Sequence, residues 1–353
     1  MKFSVVIQAA GGGSIGVGHL SRTATLASAL IDTGCWDRVV LLWEASPELA
    51  AHFRPSECEV VLVSDGTSAI RERSRLCDSQ GISVLVTDLL NLQSEDIAEA
   101  KNQGYRVIVH LNDSGKGRFA ADMVVDGDAF KSEKDLPESF EGVGLVGADY
   151  RIIRQSVLRL RPAQPWRKNK VEQVLITLGG SDPGNLSIKL LQNLARAKLE
   201  PSFSVTVVIG PAFNPLQIDE LRLISDRKGW INLVQSPSCL AQFMLECDLI
   251  VTLGGITSYE AMCLGRPCAA ITWDSMKYYV EKLDSIELIA NLGIIDNAAN
   301  QLIKLTESQD LLCKIAYSGW KKVDGRGADR IAIEINRFIN KNCLTRSTQK
   351  LFY

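Results

Sequence analysis

Phe3-Ser4-Val5-Val6-Ile7-Gln8-Ala9-Ala10-Gly11-Gly12-Gly13-Ser14-Ile15-Gly16-Val17-Gly18-His19-Leu20-Ser21-Arg22 reads as an apolar strand, a glycine-rich turn and the start of a helix. The strand is almost continuously apolar rather than alternating, the pattern of a strand covered on both faces. The same order repeats outward from it. Val39–Trp43, Glu59–Val63, Ser83–Thr87 and Arg106–His110 read as strands, and Leu20–Thr33, Thr67–Ser79 and Ser94–Asn102 as helices. Strands spaced by helices predict an α/β domain with a doubly wound parallel sheet over residues 1–150.

Residues 151–170 change character: Arg151, Arg154, Arg159, Arg161 and Arg167 are joined by Pro162, Pro165, Lys168 and Lys170. Proline with solvated charge predicts a linker. The strand–helix pattern then restarts, with strands at Gln173–Leu178, Ser204–Ile209, Ile231–Val234, Leu249–Leu253 and Cys268–Thr272. Helices are expected from Asn185, near Leu216–Ser225, at Ser258–Leu264 and at Asp324–Asn340. The expectation is a second parallel α/β domain over residues 171–341 and a weakly ordered tail at 342–353.

The chain of 353 residues carries 39 Lys and Arg against 41 Asp and Glu, a formal net charge of −2. An electrostatic nucleic-acid binder would show a basic excess or stripe, so no nucleic-acid partner is expected. Nine cysteines, an odd number with no CxxC pair, predict reduced core thiols and no metal site. No run is long and apolar enough for a transmembrane segment, and no signal-peptide pattern precedes the first strand. A cytoplasmic protein is the expectation.

Three glycine-bearing turns follow predicted strands, at the strand ends where open parallel sheets bind ligands. In the first, His19 falls in the opening turn of a helix, with Arg22 one turn on along the same side. A helix N-terminus disfavours an imidazolium, which would keep His19 neutral and able to accept a proton; a packing histidine is the plain alternative. Gly11-x-Gly13-x-x-Gly16 also has a dinucleotide-like spacing, and Glu44 stands where its acidic partner would be, but that reading ignores the other two turns. The second turn is Thr177-Leu178-Gly179-Gly180-Ser181-Asp182-Pro183-Gly184-Asn185, read either as a phosphate-binding turn or as an ordinary capped helix start. The third is Leu253-Gly254-Gly255-Ile256-Thr257-Ser258-Tyr259-Glu260, followed by Leu264-Gly265-Arg266-Pro267. Here Thr257 and Ser258 could bond a pyrophosphate. Glu260 could accept from a ribose or close a capping box with Thr257. Together the three turns describe a cleft with a nucleotide diphosphate on one wall and a reacting group on the other.

GxGHxxR at Gly16–Arg22, GGSDPxN at Gly179–Asn185 and GGxTxxE…LGxP at Gly254–Pro267 resemble the UDP-sugar hydrolases of pseudaminic acid biosynthesis. That family has the GT-B architecture of two Rossmann-like domains. It is close to spore-coat polysaccharide proteins and shares its fold with the peptidoglycan N-acetylglucosaminyl transferase. Asn112-Asp113, Val146–Tyr150 and Asp324–Ala328 add smaller agreements, and the likeness runs over about residues 3–335. The resemblance implies cleavage of a UDP-linked 2,4-diacetamido-2,4,6-trideoxy sugar to free sugar and UDP, without cofactor or metal. It implies His19 as the catalytic base, with Gly16, Gly18 and Arg22 beside it on the substrate. Asp88 and Asp113 end predicted strands and so face the cleft mouth, where they could touch the sugar or cap their loops. Gly179, Gly180, Ser181, Asn185, Gly254, Gly255, Thr257, Ser258 and Glu260 would hold the nucleotide. Two departures fall on the sugar side: Thr272–Tyr279 lacks the family's Asn-Gln pair, and Leu90 stands where an aromatic residue is usual. The alternative is a GT-B glycosyltransferase in which the hydroxyl of a glycan or lipid acceptor replaces water.

Overall fold

The computed structural model describes residues 3–12, 15–77, 82–111, 115–182, 184–196, 201–237 and 239–343. The chain divides into two compact units: the residues up to Arg154 together with those from Gly325 on, and Gln155–Asp324.

The first unit opens with β1 (Phe3–Ala10), α1 (Gly18–Asp32), β2 (Arg38–Glu44), α2 (Pro47–Phe53), β3 (Glu59–Val63) and α3 (Gly66–Leu76). It continues through β4 (Ile82–Asp88), α4 (Ser94–Asn102), β5 (Val107–His110), β6 (Met123–Asp126) and β7 (Val143–Val146). The seven strands lie in the order β3-β2-β1-β4-β5-β6-β7, and all are parallel. The central strands are buried on both faces, with Val5, Ile7, Val84 and Val86 against one helix layer and Val6, Leu85 and Ile108 against the other. That is the physical basis of their unbroken apolar runs. Helix starts follow local chemistry. Ser46 accepts from the Leu49 amide ahead of Pro47, and Asp65 and Ser68 form a reciprocal cap on α3.

The second unit runs α5 (Gln155–Leu158), β8 (Gln173–Ile176), α6 (Leu186–Ala195), β9 (Ser204–Ile209), α7 (Pro215–Asp226), β10 (Ile231–Gln235) and α8 (Leu240–Glu246). Then come β11 (Leu249–Thr252), α9 (Ile256–Cys263), β12 (Cys268–Ala270), α10 (Lys277–Ser285), β13 (Ala290–Asn291), α11 (Ile295–Thr306) and α12 (Gln309–Lys322). Its six strands are ordered β10-β9-β8-β11-β12-β13 and are again parallel. Two parallel-sheet Rossmann-like units are therefore present. The strands β6, β7 and β13 have no counterpart in the sequence reading: β6 is a three-residue apolar run between Asp122 and Asp126, β7 is interrupted by Gly144, and β13 has two residues.

The unit boundaries differ from the sequence expectation at two places. The last helix, α13 (Gly327–Cys343), joins the first unit rather than the second. Its apolar stripe of Ala328, Ile331, Ala332, Ile335 and Ile339 belongs to the core that holds α1 and β1. A Cβ at Gly327 would come within 2.2 Å of the Arg151 carbonyl oxygen, so only a bare backbone passes there. The proline- and arginine-rich stretch is also more than a solvated linker. Trp166 is buried in the second core, with its Nε1 donating to Asp248 Oδ1 at 3.0 Å. Arg161 donates to the carbonyls of Cys263 at 2.6 Å, Val323 at 2.8 Å and Trp320 at 2.6 Å, and its guanidinium lies 4.7 Å from the Trp320 ring centroid.

Replacing Arg161 by Ala leaves three carbonyls without this donor, and charged hydrogen bonds of this kind are each worth roughly 1.5–3 kcal/mol. Arg161→Ala is expected to lower stability by about 2–4 kcal/mol in urea denaturation followed by tryptophan fluorescence. A midpoint within error of wild type would refute that anchoring role.

Candidate functional site

Each sheet reverses its winding direction once. In the first unit the reversal lies between β1 and β4, and in the second between β8 and β11. At such a point the loops leaving the two strands part to opposite faces and open a crevice at their carboxyl ends, the usual ligand site of open α/β sheets. The three glycine turns and Asp88 all fall there.

In the first unit, β1 leads into the loop ending at α1, and β4 ends on Asp88. Gly12 and Gly16 have φ of +110° and +80° and pair across the loop, with the Gly12 amide 2.8 Å from the Gly16 carbonyl oxygen. Space around the Cβ position of Gly16 is open, so conformation rather than crowding requires glycine there. Gly18 is the first residue of α1, and no side chain caps this helix end. His19 and Arg22, three residues apart on α1, both meet Asp88. The carboxylate is fully buried, whereas the His19 side chain keeps 14% of its surface exposed. His19 Nδ1 lies 2.8 Å from Asp88 Oδ1 and 3.0 Å from Arg22 Nη2. Arg22 grips both carboxylate oxygens through Nε and Nη2.

Arg22 can only donate and an ionised Asp88 can only accept, so Nδ1 has one neighbour of each kind. With Nδ1–H donating to Asp88 Oδ1, the shorter of its two contacts at 2.8 Å against 3.0 Å, a lone pair is left on Nε2, the pattern of a carboxylate-oriented histidine. Burial pushes the Asp88 carboxyl up, but the Arg22 charge and the hydrogen bonds from Arg22 and His19 outweigh it and hold the group below the ordinary aspartate range. The sequence reading put Asp88 and Arg22 on the substrate; the structure engages both with each other and with His19. Asp113 lies outside the described residues.

In the second unit, the two turns differ. After β8, Gly179 has φ +88° with open space at its Cβ position, and the Gly180 carbonyl accepts from the Ala212 amide at 2.9 Å. Ser181 is exposed beside them. The start of α6, however, is occupied from within the chain: the Asp182 carboxylate accepts from the Leu186 and Ser187 amides, each at 2.9 Å. Burial pushes Asp182 up, partly offset by these helix amides. Asn185, in the left-handed region at φ +56°, accepts from Gln217 Nε2 at 2.6 Å. The first amides of α6 are thus taken by a carboxylate three residues upstream of its N-cap residue, Asn185.

After β11, Gly254 takes φ +85°, and a Cβ there would lie 2.6 Å from a Val280 methyl. Gly255 is the N-cap of α9, no side chain caps it, and space at its Cβ position is open. Thr257 is half-buried in the first turn. Ser258 is buried and shares a 2.6 Å hydrogen bond with Thr252, which also accepts from the Gly254 amide at 3.1 Å. Ser258 therefore holds the turn's shape from beneath, a correction to its expected ligand contact. Glu260 is buried on α9. With Gly255 as N-cap, it cannot close a capping box with Thr257.

Asp182 went unnoticed as a cap because its amides are four and five residues ahead, beyond the usual three-residue capping signal. The triad was missed because 66 residues separate Arg22 from Asp88.

No protein-family model matches the chain. Uncharacterized protein MJ1062 of Methanocaldococcus jannaschii is 25% identical over 301 residues, covering 82% of this chain. This chain spans only 60% of that relative's length. The spore coat polysaccharide biosynthesis protein SpsG of Bacillus subtilis is 23% identical over 337 residues, 93% of this chain and 96% of SpsG. The S. aureus MnaA–UDP co-structure matches with a TM-score of 0.71 at 12% identity, over 96% of this chain and 97% of the other. MurG of Acinetobacter baumannii matches with a TM-score of 0.66 at 16% identity, over 95% and 99%. The fold is of the GT-B type. Among the described residues, no helix is long and apolar enough to cross a membrane.

Asp88 also gives a pH signature. A carboxyl held lower in the folded chain adds stability that is present above its unfolded value of about 3.9 and lost as pH falls through the folded one. Asp88→Asn is expected to be less stable near neutrality and to show a shallower loss of urea midpoint between pH 4 and pH 2. Parallel acid limbs in the two proteins would contradict this.

Proposed function

We propose that this chain hydrolyses a UDP-linked amino-deoxy sugar of the 2,4-diacetamido-2,4,6-trideoxyhexose type, giving free sugar and UDP, in nonulosonic acid or surface polysaccharide biosynthesis. The observation that carries the reading is the His19–Asp88–Arg22 arrangement at the winding reversal of the first unit. His19 Nε2 takes a proton from water, and the water oxygen forms a bond to the anomeric carbon. The bond from that carbon to the diphosphate oxygen breaks, and UDP leaves with the electron pair. Displacement from the opposite face inverts the anomeric configuration. Asp88 steadies the imidazolium as it forms, and Arg22 holds Asp88 in register. Both act as positioning residues.

The leaving diphosphate gains negative charge in the transition state. The uncapped start of α9, with Gly254, Gly255 and Thr257, presents backbone amides suited to it. Gly179, Gly180 and Ser181 remain open for further contacts, whereas Asp182 bars a phosphate from the amides that begin α6. SpsG is named for spore coat polysaccharide biosynthesis, and MnaA was solved with UDP; both names support the substrate class. The same base would equally deprotonate an acceptor hydroxyl, and MurG and several glycosyltransferases share the fold. Transfer to a glycan or lipid is therefore the second reading.

Loss of a general base costs ~10²–10⁴-fold in rate. His19→Asn is expected to lose turnover on that scale while UDP still raises its melting temperature, with free sugar followed by mass spectrometry in the absence of acceptor. Wild-type turnover in the variant would remove His19 from the chemistry. UDP binding without sugar release by the wild type would favour transfer.

A further inference from the structure

The basic stretch ahead of β8 is held down by Arg161 and Trp166, yet Arg167, Lys168 and Lys170 beside them stand exposed. Lys168 gives its Nζ to buried Asp248 at 2.7 Å. From Arg159 to Val171 the chain has no acidic residue. The end of α12 comes to the same place. A Cβ at Gly265 would lie 2.7 Å from Pro165 Cα and 3.0 Å from Trp320 Cδ1. The Trp166 amide donates to the Gly265 carbonyl at 2.8 Å, and Trp320 Nε1 donates to the Pro162 carbonyl at 3.1 Å. Arg167 and Lys321 are the chain neighbours of these two tryptophans, so the charges of the stretch share one surface with Lys321 and Lys322, both exposed. The acidic residue of α12, Asp310, lies in its first turn, at the other end of the helix. Such segregation is not expected by default in a chain whose formal net charge is −2.

The outer side of α12 adds apolar surface to this charge. Leu312, Ile315, Ala316 and Gly319 form its buried side, whereas Leu311 is 41% and Tyr317 52% exposed. Leu311, Lys314, Tyr317 and Lys321 follow one another at helical spacing along the outer face. Lys321 Nζ lies 5.8 Å from the Tyr317 ring centroid, and Lys314 pairs with Glu287 at 2.6 Å. Basic residues beside exposed aromatic and aliphatic ones suit the lipid interface, where ring and charge both meet headgroups. Phosphates of a nucleic acid would find no use for Leu311, and a second copy would set like charges against like. We propose that this face of the second unit docks on an anionic phospholipid membrane surface. Gly265 precedes β12, so the face lies at the amino ends of the strands, away from the glycine turns at their carboxyl ends.

The test is co-sedimentation of the full chain with vesicles of phosphatidylcholine alone, or of phosphatidylcholine mixed with phosphatidylglycerol. Binding is expected to the mixed vesicles only, and to weaken as added salt shortens the screening length below ~10 Å. Each basic residue near such a surface contributes roughly fivefold to partitioning. Arg167→Gln with Lys170→Gln, and separately Lys321→Gln with Lys322→Gln, should therefore each lower it about 25-fold, at an unchanged melting temperature. In the wild type, hydrogen exchange should slow over residues 165–172 and 314–322 when mixed vesicles are added, a result that does not depend on any variant folding. Equal binding to both vesicles, binding to neither, or unaltered exchange over those residues overturns the proposal. Unchanged partitioning of both double variants overturns it too, as does tighter binding of an RNA or DNA duplex than of the mixed vesicles.

Discussion

A carboxylate withdrawn wholly from water costs several kcal/mol unless charges and hydrogen bonds replace its hydration. Asp88 meets that demand with two residues of one helix, Arg22 through its fork and His19 through Nδ1. Because the partners are one turn apart on α1, pairing with Asp88 fixes both the rotation of that helix and the length of the loop before it. The glycines follow from the same constraint. The chain must turn back from β1 with φ of +110° and +80° at Gly12 and Gly16, and a Cβ at Gly11 would lie 2.5 Å from Leu20 Cγ. Orientation of the His19 ring is thereby a consequence of satisfying a buried charge.

At its two glycine turns the second unit meets buried polar demands with hydroxyls and the Asp182 carboxylate. Thr252 joins the Ser258 hydroxyl to the Gly254 amide, which sets the turn while leaving the start of α9 without a side-chain cap. Asp182 supplies the start of α6 with the acceptor a ligand would otherwise provide. Two turns that look alike in sequence therefore have different electrostatic character. One helix end retains its capacity for an anion, and the other has spent it.

The core strands were legible because burial on both faces leaves a nearly continuous apolar run, as at Val5–Ile7 and Val84–Val86. The His19 turn was legible because glycine, histidine and arginine at that spacing have few uses at a strand-to-helix junction. Val143–Val146 was not, since Gly142, Gly144 and Gly147 break up its apolar run. The last helix shows a further limit. Its stripe from Ala328 to Ile339 announced an amphipathic helix, but a stripe does not name its partner, and the core around α1 took it. Arg161 and Trp166 likewise read as linker residues until the carbonyls and the Asp248 carboxylate that bind them were brought near.

Local sequence by itself determined the fold class, the double-glycine turns and the His19–Arg22 spacing at the start of α1, because periodicity, backbone freedom and side-chain chemistry are properties of short stretches. Tertiary structure alone decided that Asp88 orients His19, that Ser258 supports its turn from below, and that Asp182 closes α6. It also decided which unit claims the final helix. Each of these outcomes depends on which buried polar group or apolar stripe found its partner across tens to hundreds of residues. That choice is made by desolvation and packing in the folded chain, where sequence distance no longer counts.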